Sequence, residues 1–189
     1  MKYDIIIIGG GLSGLTAGIT LAQAGRRVCI VSAGQSSLHF HSGSFDLLGY
    51  DVEGKPVTRP LEAIGQLGAE HPYAKIGFER IARLADEAET LLNEAGVKVK
   101  GDSKKNHYRF SPLGRRIPAW LTTEGYAVCE EADTLPWKRV EILNVQGFLD
   151  FPTEFISAGL KKQGAVCQVK SFTTDAATSV SQVQATLLP

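Results

Sequence analysis

The sequence predicts an α/β protein, and three observations carry that prediction. An apolar, β-branched run at residues 3–8, broken only by Asp4, leads at once into the glycine-rich stretch Gly9-Gly10-Gly11-Leu12-Ser13-Gly14. A helix-period pattern follows and stops at Gly25, and a second apolar run occupies residues 27–31. Further along the chain, helix-period and strand-period segments keep alternating, as they do where sheets are built from β-α-β units.

The first run reads as a central parallel strand buried on both faces, because from Ile5 on it is continuous rather than alternating. In the helix that follows, Leu12, Leu15, Ile19 and Ala22 recur at spacings of three and four. Between strand and helix each glycine has a task. Gly9 permits the tight turn out of the strand. Gly11, lacking a side chain, lets a pyrophosphate approach the backbone. Gly14 lets the helix pack closely on the strand, and Gly18 extends the same face. The helix N-terminus adds unpaired N–H groups and a positive dipole end. Gly9, Gly10, Gly11, Leu12, Ser13 and Gly14 are therefore candidate dinucleotide-binding residues. A lone Gly-x-Gly-x-x-Gly is weak, but here it follows a strand, opens a helix and precedes a second strand, the context the motif requires.

Ser32 departs from that fingerprint. It stands at the end of the second strand, where an acidic residue would bind the adenosine ribose. A serine hydroxyl lacks the charge-assisted strength of a carboxylate, which argues against ordinary NAD binding. Arg26 and Arg27 precede the strand and are badly placed to grip a 2′-phosphate instead.

Residues 34–48, Gly-Gln-Ser-Ser-Leu-His-Phe-His-Ser-Gly-Ser-Phe-Asp-Leu-Leu, are rich in small and hydroxyl side chains. Such a stretch brings donors close to a polar ligand. Ser36, Ser37, Ser42, Gly43 and Ser44 are candidates to meet flavin carbonyls and N5.

Together, the glycine loop and the segment at 34–48 resemble the B subunit family of anaerobic glycerol-3-phosphate dehydrogenase, the second motif being the more specific. Weaker similarity continues through Ala69-Glu-His-Pro-Tyr73, Ser111-Pro-Leu-Gly114 and Gly147-Phe-Leu-Asp-Phe151. Members of that family are longer, so the chain is expected to be the N-terminal part of a longer protein. The resemblance implies a truncated Rossmann-like FAD/NAD(P)-binding fold of glutathione-reductase type, with part of a second α+β domain. It implies a flavin, FMN as the usual assignment and FAD as the alternative. It also implies partners: a flavin-bearing A subunit and a membrane-attached iron–sulfur C subunit. The implied reaction is oxidation of sn-glycerol 3-phosphate to dihydroxyacetone phosphate, with electrons passing to quinone. The implied location is the cytoplasmic face of the inner membrane, reached through the partners. Ser32 suits FMN, which has no second ribose, whereas the glycine loop is shaped for a pyrophosphate, which FMN lacks.

The remaining elements follow in order. Residues 51–60 are polar with Gly and Pro and read as a connection or short hairpin. Residues 78–95 form an amphipathic helix with Phe78, Ile81, Leu84, Ala85, Ala88, Leu91, Leu92 and Ala95 on its apolar stripe and Gly96 as its stop. Residues 97–100 make a short strand. Residues 107–120 read as a hairpin around Pro112-Leu113-Gly114-Arg115-Arg116, and Arg115 and Arg116 are candidates to clamp a substrate phosphate. Residues 124–135 are acidic and expected on the surface. A strand at 138–145, a helix at 152–163 and a strand at 166–172 complete a second β-α-β unit. The domain boundary falls near residue 100, giving a flavin-binding portion at 1–100 and the start of a substrate or cap domain at 101–189.

For alcohol oxidation, a histidine near neutral pKa takes the hydroxyl proton while a flavin takes the hydride. His39 and His41, in the presumed flavin loop, are the catalytic candidates. Two other functions stay open: a nicotinamide-dependent dehydrogenase, and a non-catalytic flavin electron-relay or assembly subunit.

Bulk properties exclude other classes. Twenty basic residues balance twenty acidic ones, so no global field attracts nucleic acid. No apolar run approaches the roughly 20 residues of a membrane span. Asp4 and the early glycines argue against a signal peptide. The three cysteines, Cys29, Cys129 and Cys167, show no Cys-x-x-Cys spacing, so no metal site is expected and a reducing cytoplasm fits best. Cys29 is expected to pack as a small buried hydrophobe.

Overall fold

The structure, a computed structural model, describes residues 2–131, 133–146 and 151–173. Its contacts divide the chain into two compact units, residues 1–43 and 44–189.

The first unit is a single β-α-β element. Strand β1 (Ile5–Ile8) runs into helix α1 (Leu12–Gln23) and then β2 (Val28–Val31). The strands pair in parallel, Ile5 opposite Val28 through Ile8 opposite Val31. Asp4 and Arg27 lock the entrance to this pairing. Arg27 N donates to Asp4 Oδ2 at 2.9 Å, Asp4 N donates to Arg27 O at 2.9 Å, and the guanidinium pairs with the carboxylate at 3.1 Å. Hydrogen bonds from the Arg27 side chain and backbone hold the Asp4 carboxyl below its usual range.

Helix α1 packs on the face carrying Ile7 and Ile30, where Gly14 and Gly18 sit against them. Here the structure corrects one expectation. The strand predicted to be buried on both faces alternates instead: Ile5 and Ile7 are half-buried, while Ile6 is 64% and Ile8 90% exposed. Leu12, Leu15 and Ile19 are also exposed. The physical reason is layer count. One helix covers one face of a two-stranded sheet, and no described element of this unit covers the other. Cys29, expected to be buried, is half-buried for the same reason.

The second unit begins at β3 (Ser44–Phe45) and continues through α2 (Pro60–Ile64), α3 (Pro72–Ile76) and α4 (Phe78–Glu94). The short strands β4 (Val99–Lys100), β5 (His107–Phe110), β6 (Arg116–Ala119), β7 (Leu121–Thr123) and β8 (Val128–Cys129) follow. The chain then forms β9 (Arg139–Val145), α5 (Thr153–Lys162) and β10 (Val166–Phe172). The strands assemble in the orders β3-β7-β4, β6-β5-β8 and β10-β9. The last pair is parallel, Arg139 opposite Val166 through Val145 opposite Phe172, which makes the expected second β-α-β unit.

The core lies where α4 meets β7. Ala85, Trp120 and Leu121 are buried there, with Phe45, Leu47, Ala88, Leu92 and Val99 packed around them. Burying a leucine side chain such as that of Leu121 stabilises by about 1.5–3 kcal/mol. The indole N–H of Trp120 donates to Glu89 Oε1 at 2.9 Å, so burying the ring leaves no unpaired donor. The amphipathic helix ends as expected, Gly96 following it at φ +75°, but Phe78 and Leu84 of its predicted stripe are exposed. The stripe is wider than the surface that the sheet offers.

Three further points sharpen or change the expectations. Residues 51–60, read as a connection or short hairpin, are a connection closed by one isolated bridge, Tyr50 to Pro56. The acidic segment 124–135 is mostly exposed as expected, except at β8, which pairs with β5 and buries Cys129. A two-residue strand among acids carries too short an alternation to be read. Finally, the boundary expected near residue 100 falls within the second unit, where β4 hydrogen-bonds to β7. Residues 147–150 of the motif at 147–151, and the final dozen residues, lie outside the described residues.

Candidate functional site

The candidate site in the first unit is built almost wholly from backbone. Gly9 continues the strand pairing through its N–H to Val31 O at 2.8 Å and then turns at φ +111°, which only glycine adopts readily. A side chain on Gly14 would place Cβ 2.0 Å from Gly9 O and 3.4 Å from Ile7 Cγ2, so its role in close helix–strand packing is borne out. At Gly18, a Cβ would meet Ile30 Cδ1 at 2.8 Å.

Gly11 is different. It is extended (φ −79°, ψ −177°), a conformation open to any residue, and a Cβ there would meet nothing within 4 Å. Neither backbone strain nor packing within the chain requires a glycine at this position. The requirement that remains is external: space for a group that must touch the backbone. Gly11 is also the N-cap of α1. It gives no side-chain cap, and the first turn carries no acid. The amides of Leu12, Ser13 and Gly14 therefore open toward that space with the helix dipole behind them. This cradle fits a phosphate or pyrophosphate.

Ser32 reaches the same place. Its Cβ and Oγ lie 3.2 Å from where a Cβ on Gly10 would stand. Its hydroxyl donates to Gly34 O at 2.9 Å, closing the turn after β2. The acidic position of the fingerprint thus holds a turn-forming hydroxyl and no charge.

Beyond it, Ser36 Oγ accepts from Leu38 N at 3.3 Å and starts a short 3-10 turn, Ser37–Phe40. His39 lies edge-on to Phe40 with ring centroids 4.7 Å apart. His41 Nδ1 accepts from Gly43 N at 2.8 Å, so the neutral ring carries its proton on Nε2 and presents a donor. Of the remaining loop candidates, Ser42 and Gly43 close the first unit, while Ser44 lies in β3 of the second, opposite Thr122. The structure therefore brings Gly9 to Gly14 and Ser32 together and leaves Ser44, Arg115 and Arg116 in the other unit.

In that second unit Arg115 and Arg116 sit at the β5–β6 turn. Ser111 Oγ accepts from the N–H of Leu113 and of Arg115, both at 3.2 Å, and holds the turn. Gly114, at φ +70°, rests directly on Gly159 of α5; a Cβ on Gly159 would lie 2.4 Å from Leu113 O. The turn is thereby pinned to a helix more than forty residues on. Arg115 and Arg116 share a groove with Lys162 and Gln163 of α5, which the sequence pattern does not reveal. Lys162 reads as an ordinary solvated helix end; the signal available was Gly159, an isolated glycine inside a helical pattern, which marks close backbone approach.

His107, the buried histidine among the four, likewise carries no mark in the sequence. Its Nε2 lies 2.7 Å from Thr122 Oγ1, and Nδ1 has no partner. Burial lowers its pKa, opposed by Glu130, so the ring is held neutral. Beside it Asn106 Nδ2 donates to Leu48 O at 2.9 Å and Val57 O at 2.8 Å, tying two loops together. These are structural roles. Among the described residues no group of His, Cys, Asp and Glu could hold a metal ion, and no helix is long and apolar enough to cross a membrane.

The family model for an FAD binding domain matches residues 4–186. The chain is 45% identical over 168 residues to the B subunit of anaerobic glycerol-3-phosphate dehydrogenase from Yersinia pseudotuberculosis, covering 87% of this chain and 40% of that protein. It is 41% identical over 167 residues to the B subunit from Pectobacterium atrosepticum, with the same coverage. It is 35% identical over 175 residues to the B subunit from Actinobacillus succinogenes, covering 90% of this chain and 41% of the relative. The chain thus spans about 40% of the length of the curated relatives it matches. No solved structure matches it. The resemblance read from the two motifs holds across most of the chain, and the family is one of flavin-binding, Rossmann-like α/β folds.

Proposed function

The chain belongs to the FAD binding domain family, and from that premise we propose that it is the flavin-binding portion of a subunit that oxidises sn-glycerol 3-phosphate to dihydroxyacetone phosphate. One observation carries the binding part of this reading: Gly11 opens onto space with three uncapped helix amides beside it. Relatives named as the B subunit of anaerobic glycerol-3-phosphate dehydrogenase support the activity. The glutathione-reductase arrangement of the fold belongs to the same proposal.

A bound flavin supplies the hydride acceptor. The chain's own residues hold the phosphate end through the amides of Leu12, Ser13 and Gly14, with Ser32 beside the turn. Ser36, Ser37 and Ser42 supply hydroxyls to the ring; the Gly43 amide is spent on His41, and Ser44 belongs to the second unit. The hydroxyl proton of the substrate goes to a histidine. His41 spends its Nδ1 lone pair on Gly43, which leaves His39 as the better base. Electrons leave toward quinone through a complex with a flavin-bearing A subunit and a membrane-attached iron–sulfur C subunit, and the protein works at the cytoplasmic face of the inner membrane.

The test uses the full-length protein purified anaerobically. The expected result is a yellow protein whose flavin absorbance bleaches on addition of sn-glycerol 3-phosphate. A colourless protein that takes up neither FMN nor FAD ends the proposal. Bleaching only after the partner subunits are added converts it to an electron relay. Tight NADH binding without flavin replaces it with a nicotinamide-dependent enzyme, against which Ser32 stands. The mass of the acid-released cofactor separates FMN, which Ser32 suits, from FAD, which the glycine loop suits.

A further inference from the structure

In the second unit a groove of about 630 Å³ opens between the β5–β6 turn and α5. Arg115, Arg116 and Lys162 line it together with Tyr108, Phe155 and Gln163, and no acidic side chain does. None of the ion pairs among the described residues uses any of these three cations. Three cations line the groove from two elements with no acidic side chain among the lining, which favours an anion there; the Arg116 side chain also hydrogen-bonds Cys129.

A second observation points the same way. Two atoms of the lining residues are buried without any partner: Arg116 Nη1, a donor, and Gln163 Oε1, an acceptor. The orientation of Gln163 is fixed by its neighbours. Its Nε2 donates to Gly114 O at 2.6 Å and Gly159 O at 2.9 Å, and both acceptors are carbonyls, so the oxygen is the unmet end. Buried polar atoms in native proteins are nearly all paired, and two unpaired ones in the residues lining one groove are open to a partner that enters it. Neither atom is reached by solvent as the groove stands, so a ligand meets them only if side chains of the groove wall turn. The frame around them is rigid, because Gly114 and Gly159 meet backbone to backbone.

We propose that this groove binds a phosphomonoester of a small hydroxylated molecule: Arg116 and Lys162 take the phosphate oxygens, the exposed Arg115 adds charge at the mouth, and Gln163 Oε1 accepts a hydroxyl. Phosphate needs donors and positive charge, and the guanidinium and ammonium supply both. A hydroxyl beside the phosphate needs an acceptor, which is the one unmet group that is not a cation. The site deepens the proposed function and rests on it for naming sn-glycerol 3-phosphate as the molecule. The phosphate of FMN shares this chemistry, so the test separates the two sources.

The experiment is calorimetric titration of the full-length, flavin-loaded protein with sn-glycerol 3-phosphate, inorganic phosphate, glycerol and FMN, alongside the flavin content of each variant. Both small phosphates are expected to bind, more weakly as salt rises, and glycerol is not. Lys162→Gln and Arg116→Gln should each weaken sn-glycerol 3-phosphate binding roughly ten- to hundredfold, the worth of a charge-assisted hydrogen bond, with flavin content unchanged. Lys162 is exposed, so its variant reports on binding even where Arg116→Gln misfolds. Unchanged phosphate affinity in Lys162→Gln overturns the site. Loss of flavin from the variants, with FMN binding abolished, assigns the groove to the cofactor phosphate and overturns the substrate assignment. Phosphate binding without flavin bleaching refutes the oxidation reading and leaves the groove standing. Bleaching with an unchanged KM in Lys162→Gln does the reverse.

Discussion

The glycine loop of the first unit and the arginine groove of the second both suit phosphate, and they are built in opposite ways. The loop uses backbone amides, a helix dipole and no charged side chain; its selectivity comes from what glycine omits. The groove uses two arginines and a lysine carried by two elements, held in place by a glycine pair and Gln163. A backbone site is local, so a dozen consecutive residues specify it. A side-chain site is assembled by packing, so its parts lie far apart in the chain. The loop should therefore fail through sterics and the groove through charge or loss of docking.

The largest effect expected is at Gly14. Gly14→Val drives Cβ into Gly9 O, and the helix must leave the strand. Such overpacking costs on the order of 3 kcal/mol or more. Thermal denaturation should show a large drop in midpoint and the protein should carry no flavin. A stable, yellow variant would break the claim that this contact holds the loop.

Next comes Gly159→Val, which pushes α5 off the β5–β6 turn. A loss of roughly 2 kcal/mol is expected, together with loss of phosphate binding but retention of flavin. Loss of flavin in this variant would show that the two sites are not independent. Titration calorimetry and the visible spectrum read the two outcomes side by side.

Gly11→Val sharpens the contrast with Gly14. Nothing lies within 4 Å of the new Cβ and the backbone angles suit any residue, so stability should change by less than about 0.5 kcal/mol. Flavin affinity should fall about tenfold or more, since the side chain fills the space the phosphate enters. Fluorescence titration with FMN and FAD measures it, and unaltered affinity would remove the main argument for the cradle.

The smallest effect is a pH dependence that belongs to the second unit alone. His107 is buried and its pKa is lowered in the folded protein, so the unfolded chain binds the proton more readily. Stability is full above the unfolded value near 6.5 and declines as pH falls through it, levelling once the folded form also protonates. Chemical denaturation between pH 8 and pH 5 should show that decline in the parent and less of it in His107→Gln. An increase in stability on acidification across this window would reverse the assignment.

How far these features could be read in advance follows from the same contrast. The β-α-β frame, Gly9, Gly14 and Gly18, the helix ending at Gly96, the β5–β6 hairpin and the second β-α-β unit were all legible, because each rests on spacing within one short stretch. Exposure was not: the burial expected for Ile6 and Ile8 depends on a layer that one helix cannot supply. Nor was β8, two residues long and followed by acids, or the burial of its Cys129. That His41 accepts a hydrogen bond from Gly43 in a turn could not be read either, since a single loop contact sets it.

By itself the sequence determined the backbone cradle and the family, since glycine spacing and one serine-rich loop act over a few residues where local sterics decide the conformation. Only the tertiary structure decided that Arg116 meets Lys162 and Gln163 across a glycine–glycine contact, because residues some forty-five apart in the chain become neighbours through packing alone, and no local pattern encodes that meeting.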